Sequence, residues 1–213
     1  LWGSDAVLRL RRNAAEETTF EVTVPLPGIH MVLNAAAAAC VAGLFGMTPE
    51  EIAAGIGKIR PVDGRNHLIR LERYTLIDDC YNANPASMKA ALELLALADT
   101  PKTAILGDMF ELGENAGQLH GEVGAYAVRR GIDTIVCVGT MAEEMFRAAK
   151  EACAETGDKA GQRLFYYPTR EALLEALKKD RRMLVPDGGT VLVKASHGME
   201  FPAVLKLLQE ETL

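Results

Sequence analysis

The sequence predicts an α/β fold, with a Rossmann-like and mostly parallel sheet that carries helices on both faces. Residues 63–213 alternate short aliphatic runs with longer amphipathic segments, which is the pattern of repeated strand–helix units. Residues 1–62 differ, because they predict a hairpin followed by two helices. The helix predicted from Pro85 has apolar residues at the i, i+3, i+4, i+7 spacing of a packed helix face, at Met88, Ala91, Leu92 and Leu95.

The amino-terminal region begins with the predicted hairpin. Residues 7–10 and 20–24 alternate apolar and polar side chains, which is the period of a half-buried strand. The polar run at residues 11–18 is predicted to form the turn, and residues 25–28 end the second strand. Two paired strands are therefore expected before the first helix.

Two helices are predicted after the hairpin. The first is expected from His30 to Phe45, with Gly46 at its carboxyl-terminal cap. The second begins at residues 48–51, which form a capping box with proline at the first helical position. Apolar residues continue at helical spacing to Ile59, and Pro61 is expected to stop this helix.

The pattern changes after Pro61, and two domains are predicted, residues 1–62 and residues 63–213. In the second domain, strands are predicted at residues 75–78, 103–106, 134–138, 163–167 and 190–193. Helices are predicted to begin near Pro85, Ala116, Met141, Thr169 and Glu200. This alternation is the basis for the parallel sheet.

Composition excludes several classes of protein. The chain has 213 residues, of which 49% are hydrophobic and 24% charged, as in ordinary folded domains. Its formal net charge of −6 is dispersed, and a nucleic-acid binder would show a basic stripe. The most apolar stretch, residues 31–47, is too short to span a bilayer comfortably. The separated cysteines favour free thiols in a reducing compartment, at positions Cys40, Cys80, Cys137 and Cys153.

Three familiar chemical motifs are absent from the sequence. There is no G-x-x-x-x-G-K-[ST] phosphate loop, since Gly57-Lys58 is followed by Ile59. No G-x-G-x-x-G follows a predicted strand, which leaves a nicotinamide-dependent oxidoreductase without its glycine fingerprint. No G-x-S-x-G is present, so a hydrolase triad has no nucleophile candidate. No histidine spacing indicates a metal site, and none is predicted on this chain.

Polar residues follow three of the predicted strands. Residues 79–84 follow the strand at 75–78, Asp108 follows the strand at 103–106, and residues 194–197 follow the last strand. Ligands of open α/β sheets bind beyond the carboxyl ends of the strands, so this edge is predicted to be functional. The alternative for Asn84, which precedes a proline, is that it is only a helix cap.

Several segments resemble the Mur ligase family. Residues 27–36 resemble its G-x-H-N-x-x-N-A-x-A-A segment, with Met31 at the first asparagine, and residues 61–65 resemble its P-x-x-G-R segment. Residues 78–88 and 106–113 resemble the D-D-x-Y-N-A-N-P-x-S-M and L-G-D-M-x-E-L-G blocks of the branch that adds D-alanyl-D-alanine. Residues 194–199 resemble a K-[GA]-S-R-x-M segment, with histidine in place of arginine.

The resemblance implies an ATP-dependent amide ligase that joins D-alanyl-D-alanine to UDP-N-acetylmuramoyl-tripeptide in peptidoglycan synthesis, in the cytoplasm. It implies that residues 1–62 are the remnant of an incomplete central ATP-binding domain, and that residues 63–213 are the carboxyl-terminal domain. The start at Leu1 rather than at methionine is interpreted as processing or truncation. The phosphate loop and the ligands of Mg²⁺ would then belong to the missing part, so this piece alone is expected to be inactive.

The resemblance also implies roles for particular residues. Arg65 would meet phosphate charge as a catalytic group, because a guanidinium is always charged and pairs well with phosphate oxygens. Asn34 would lie near the adenine of ATP, and Asp79 near its ribose or adenine. The dipeptide would contact Tyr81, Asn82 and Asn84.

Four alternatives remain open at this point. Arg65 could be an ordinary surface arginine, and Tyr81 could only fill the core. The chain could be a non-catalytic domain that binds a nucleotide or another small molecule. It could also be another ligase of the superfamily, such as a folylpolyglutamate synthase, although the Y-N-A-N-P block argues against that interpretation.

Overall fold

Residues Leu1–Pro61 and Val62–Leu213 form two units in the computed structural model, which describes residues 2–13, 16–156 and 161–210. The first unit contains a two-stranded antiparallel sheet and two helices. The second contains a six-stranded sheet surrounded by helices. The fold class predicted from the sequence is therefore confirmed. Among the described residues, no helix is both long and apolar enough to cross a bilayer.

The hairpin of the first unit is longer than the sequence predicts. Strand β1 (Ser4–Asn13) pairs with β2 (Glu16–Val24), so the strands occupy most of the run at 11–18 that is predicted to be a turn. The turn prediction is wrong there because charged side chains on both strands pair across the ladder, as Arg11 does with Glu17. Its central residues, 14–15, lie outside the described residues.

The two helices of the first unit pack on the hairpin. Helix α1 (Ile29–Leu44) ends before Gly46, whose φ of +85° suits a carboxyl-terminal cap, as predicted. Helix α2 (Pro49–Ile56) begins at the predicted capping box. It ends at Ile56, so the prediction that it continues through Ile59 is wrong. The core of this unit contains Val22, Val24, Leu26, Ala35, Ala39, Ile52 and Ile56.

The sheet of the second unit has the strand order β3-β4-β8-β5-β6-β7. Five of its strands are parallel, and only β3 is antiparallel to its neighbour β4. The strands are β3 (His67–Arg70), β4 (Thr75–Asp78), β5 (Lys102–Gly107), β6 (Thr134–Val138), β7 (Arg163–Tyr167) and β8 (Thr190–Lys194). All five predicted strands are confirmed within one residue at each end. Strand β3 was not predicted, because its two apolar residues are adjacent between His67 and Arg70 and show neither alternation nor a longer apolar run.

Helices cover both faces of this sheet. They are α3 (Pro85–Ala96), α4 (Ala116–Arg129), α5 (Ala142–Thr156), α6 (Arg170–Lys179), α7 (Arg181–Leu184) and α8 (Pro202–Gln209). The successive β4 residues Leu76 and Ile77 point to opposite faces, and both have no exposed surface. Helices α6 and α8 pack on the face that contains Leu76, Ile105, Val136, Val191 and Val193. The predicted helices are confirmed, and α7, a single turn, was missed.

Candidate functional site

The sheet order brings the polar strand ends together. Strand β8 lies between β4 and β5 and is parallel to both, so the carboxyl ends of these three strands are adjacent at one edge. Asp78 ends β4, Gly107 ends β5 and Lys194 ends β8. The sequence predicts a polar edge here, and the structure brings these residues together as parallel pairing requires.

Arg65 lies on a tight turn beside this edge. Its backbone N–H donates to the carbonyl of Val62 at 3.0 Å, and the preceding Gly64 has a φ of +76°. The guanidinium of Arg65 lies 4.0 Å from the ring centroid of Tyr81, which is a cation–π contact. The same ring lies 5.7 Å from the ring of His197. Tyr81 is 48% exposed, so the alternative that it fills the core is wrong.

Lys194 forms the buried centre of the edge. Its side chain is 2% exposed, and its ammonium group donates to Asp79 Oδ2 at 2.7 Å and to the carbonyl of Asn82 at 2.9 Å. Asp79 Oδ1 accepts the backbone N–H of Asn66 at 3.0 Å. The sequence did not single out Lys194 as a site residue. The signal that could have identified it is a lysine that ends an otherwise apolar strand, since a buried lysine requires a carboxylate partner.

The two predicted asparagines form local hydrogen bonds. Asn84 caps α3, because its side chain accepts the N–H of Ser87 at 2.8 Å while Ser87 Oγ accepts the N–H of Asn84 at 3.1 Å. The capping role predicted as the alternative for Asn84 is therefore confirmed. Asn82 Oδ1 accepts the N–H of the next residue, Ala83, at 2.8 Å. Both side chains belong to exposed residues, and a contact with a ligand stays a prediction.

The segment after β5 is fixed by buried polar contacts. The carboxylate of Asp108 accepts the N–H groups of Met141 at 3.3 Å and Ala142 at 2.7 Å, and so holds the start of α5. His120, which has no exposed surface, accepts the N–H of Met109 through Nε2 at 2.9 Å. Its proton therefore lies on Nδ1, which is 2.7 Å from the carbonyl of Ala116. This ring is neutral, so its 4.0 Å contact with Asp108 is not an ion pair.

A cleft opens beyond the carboxyl ends of β5, β6 and β7, and the sequence did not predict it. Arg170 lines it and forms ion pairs of 2.6 Å with Glu171 and Glu200, so charges of both signs face the same space. The cleft also contains the apolar surface of Phe110. A cleft is expected beyond the carboxyl ends of the strands in an open α/β sheet. Its lining residues cannot be predicted until the order of the strands is known.

The remaining candidate, Asn34, lies on α1 in the first unit, where its side-chain amide is 3.9 Å from the sulfur of Met31. Among residues 2–13, 16–156 and 161–210, no cluster of three or more His, Cys, Asp or Glu side chains is placed to hold a metal ion. Arg65, Asp79, Tyr81 and Asn82 are brought together at one edge of the second unit by the contacts described above.

This fold and this edge define an open α/β domain with polar residues beyond the carboxyl ends of its parallel strands, which is where domains of this class bind their ligands. Residues 64–197 match the model of the Mur ligase, glutamate ligase domain. The chain belongs to the Mur ligase family.

Characterised relatives cover most of this chain. It is 34% identical over 193 residues to the UDP-N-acetylmuramoyl-tripeptide–D-alanyl-D-alanine ligase of Escherichia coli. The matched region covers 89% of this chain and 39% of that protein. The Bacillus subtilis enzyme of the same name is 32% identical, over 92% of this chain and 41% of its own length. The chain thus spans about two fifths of the length of these relatives.

Solved structures show the same relationship. A crystal structure of MurF from Acinetobacter baumannii superposes with a TM-score of 0.79 at 29% identity. The match covers 91% of this chain and 40% of that chain. The similarity therefore extends over both units of this chain and leaves most of the longer protein without a counterpart here.

Proposed function

We propose that this chain is the carboxyl-terminal part of an ATP-dependent amide ligase that joins D-alanyl-D-alanine to UDP-N-acetylmuramoyl-tripeptide. The names of its relatives support this reaction, and they favour it over a folylpolyglutamate synthase. The observation that carries the proposal is the meeting of the segments at 61–65, 78–88 and 194–199 at one edge of the sheet. The segment at 78–88 resembles a block of this ligase branch, the segment at 61–65 resembles a segment of the Mur ligase family, and residues 194–199 resemble the K-[GA]-S-R-x-M segment.

The first chemical step needs positive charge beside the nucleotide. The tripeptide carboxylate attacks the γ-phosphorus of ATP, which gives an acyl phosphate and ADP. The negative charge of the transferred group is spread over its oxygens, so positioning and electrostatic stabilisation account for most of the acceleration. Arg65 supplies a permanent charge on an exposed side chain, and its stacking on Tyr81 limits the positions that the guanidinium takes.

The second step forms the amide bond. Once the ammonium group of D-alanyl-D-alanine has lost one proton to solvent, the amine attacks the acyl carbon. The tetrahedral intermediate loses a second proton from nitrogen, and inorganic phosphate leaves with the bonding electron pair. Asn82 and Asn84 are exposed residues of the β4–α3 connection, and we assign to their amide groups the orientation of the dipeptide. The neighbouring cleft offers Arg170 for its carboxylate, and Glu171 and Glu200 for its ammonium group.

Two further residues are assigned to the nucleotide. Asn34 offers an amide that can donate and accept on one edge of adenine, and Asp79 offers a carboxylate to the ribose. The bound Mg²⁺ would neutralise phosphate charge, and its ligands are assigned to the part of the longer protein that this chain does not include. A cytoplasmic location fits the ATP that the reaction consumes.

The proposal is tested by phosphate release. ATP, UDP-N-acetylmuramoyl-tripeptide and D-alanyl-D-alanine are supplied to the longer protein that contains this chain, and to the 213-residue chain alone. Release that requires all three substrates, in the longer protein only, is the expected result. No release from either protein would reject the ligase and would favour a non-catalytic binding domain.

Two variants of the longer protein test the residue roles. Arg65→Ala should lower kcat by about 100-fold without lowering the melting temperature, because it removes transition-state charge from an exposed side chain. Asn82→Ala should raise the Michaelis constant for the dipeptide and leave that for ATP nearly unchanged. Unchanged turnover of Arg65→Ala would remove Arg65 from the mechanism.

A further inference from the structure

Two consecutive carboxylates hold the backbone on either side of Arg65. The N–H of Gly64 donates to Asp78 Oδ2 at 2.8 Å, and the N–H of Asn66 donates to Asp79 Oδ1 at 3.0 Å. Hydrogen bonds to ionised acceptors are about twice as strong as neutral ones. The turn that carries Arg65 is therefore fixed at two points to the end of β4.

Asp78 and Asp79 differ in their other partners. Asp79 pairs with the ammonium group of Lys194, whereas the described partners of Asp78 are neutral donors. Asp78 is 6% exposed, and its Oδ1 lies 3.3 Å from the backbone nitrogen and 3.1 Å from the sulfur of Cys80. A buried carboxylate is energetically costly unless hydrogen-bond donors surround it. The N–H of Gly64 is one of the donors to Asp78, so moving Gly64 away would destabilise the buried carboxylate.

The turn also contacts Tyr81 directly. The N–H of Tyr81 donates to the carbonyl of Gly64 at 2.9 Å, and an added Cβ on Gly64 would lie 3.1 Å from Tyr81 Cβ. The close approach brings the backbone of Arg65 beside the tyrosine ring. Its guanidinium then stacks at 4.0 Å. An arginine without such support would lose more side-chain entropy when it orders on a ligand.

We propose that Asp78 is a positioning residue, whose carboxylate fixes the Gly64 turn so that the guanidinium of Arg65 is held on the Tyr81 ring before any ligand arrives. The consequence for phosphate transfer rests on the proposed function of Arg65. The placement of the side chain does not depend on that function, and it is measured separately.

The placement is measured by NMR on the labelled 213-residue chain. The ring current of Tyr81 should shift the side-chain proton resonances of Arg65 upfield. The variant Tyr81→Leu gives the reference chemical shifts of these protons in the absence of the ring. Asp78→Ala should remove the upfield shift, because the turn loses its acceptor. Asp78→Asn should retain most of it, because the amide oxygen still accepts the Gly64 N–H.

The matched control is Asp133→Ala, because Asp133 also accepts a backbone N–H, that of Lys102 at 2.7 Å. It should leave the Arg65 shift unchanged even if it destabilises the fold. If Asp78→Ala does not fold, hydrogen exchange in the unmodified protein decides, since the Gly64 amide should be protected. An unchanged shift in Asp78→Ala, or an unprotected Gly64 amide, would overturn the proposal.

The catalytic consequence is measured in the longer protein. Asp78→Ala should lower kcat by about tenfold or more, because small misplacements of a catalytic group are costly, while the Michaelis constant for the dipeptide changes little. Asp78→Asn should restore most of the rate, which a merely destabilising effect would not explain. An inactive longer protein with the NMR results as expected would reject the ligase reaction and leave the positioning of Arg65 in place.

Discussion

The ammonium group of Lys194 lies 2.7 Å from Asp79 Oδ2, at a position where the lysine side chain is only 2% exposed. This ion pair joins the end of β8 to the segment that follows β4. A buried charge that loses its partner is strongly destabilising, whereas the intact pair contributes little net stability. The pair therefore holds the geometry of the edge more than it stabilises the fold.

Lys194→Met should lower the free energy of unfolding by about 3 kcal/mol, because it leaves Asp79 without its cation. The double variant Lys194→Met/Asp79→Asn should recover part of this loss. Urea unfolding measures both. The control Arg182→Gln removes the exposed ion pair of 3.4 Å with Asp187 and should cost less than about 1 kcal/mol. Equal losses in Lys194→Met and Arg182→Gln would contradict this account.

Gly64→Ala should lower the free energy of unfolding by about 2 kcal/mol or more, since the new Cβ combines a left-handed φ with contacts to the Tyr81 backbone. The control is Gly131→Ala, because Gly131 has a similar φ of +68° and nothing within 4 Å of its added Cβ. That variant should cost about 1 kcal/mol. The same loss in both would show that the approach to Tyr81 adds no strain.

Gly124→Ala tests the packing of α4 on α5. An added Cβ at Gly124 would lie 1.9 Å from the carbonyl oxygen of Met145, so the two helices must separate. The expected loss is about 3 kcal/mol, measured by thermal or urea unfolding. Gly117→Ala on the same helix meets only ordinary contacts, the nearest at 3.6 Å, and should be neutral or stabilise by up to about 1 kcal/mol. A tolerated Gly124→Ala would mean that the helices separate at little cost.

The cysteines should differ in reactivity and in their effect at alkaline pH. Burial raises the pKa of the Cys137 thiol, and burial together with the hydrogen bond to Asp78 raises that of Cys80. A thiol reagent should therefore modify the exposed Cys40 in the native protein and the two buried thiols only after unfolding. Rapid modification of Cys137 without unfolding would contradict this prediction.

The raised pKa values also set a direction for stability against pH. The folded chain keeps these thiols protonated, so their contribution is fully present below the pKa of an unfolded cysteine, about 8.5, and is lost as pH rises above it. In that range each buried thiol should lower the free energy of unfolding by about 1.4 kcal/mol for each pH unit of increase. Cys137→Ala should reduce the slope of urea stability between pH 8.5 and 10, and Cys40→Ala should leave it unchanged.

Local signals in the sequence predicted most of the elements. Strand β6 and the start of α2 were predictable because a continuous apolar run and a capping box are properties of neighbouring residues. The hairpin turn was not, because pairing across a ladder overrides local preference. The end of α2 was not predicted either, because the chain tightens after Ile56 into turns in which the N–H of Lys58 donates to Gly55 and that of Ile59 to Ile56. The cleft that contains Arg170 could not be located without the order of the strands.

The α/β class, the polar residues at the strand ends and the resemblance that led to the family could all be read from short, contiguous patterns of residues. The order of the strands in the folded sheet places β8 between β4 and β5, and so brings Lys194 to Asp79 across 115 residues of chain. The fold also brings Asp78 to the turn of Arg65. Such long-range contacts follow from the packing of the whole sheet, which no local periodicity encodes.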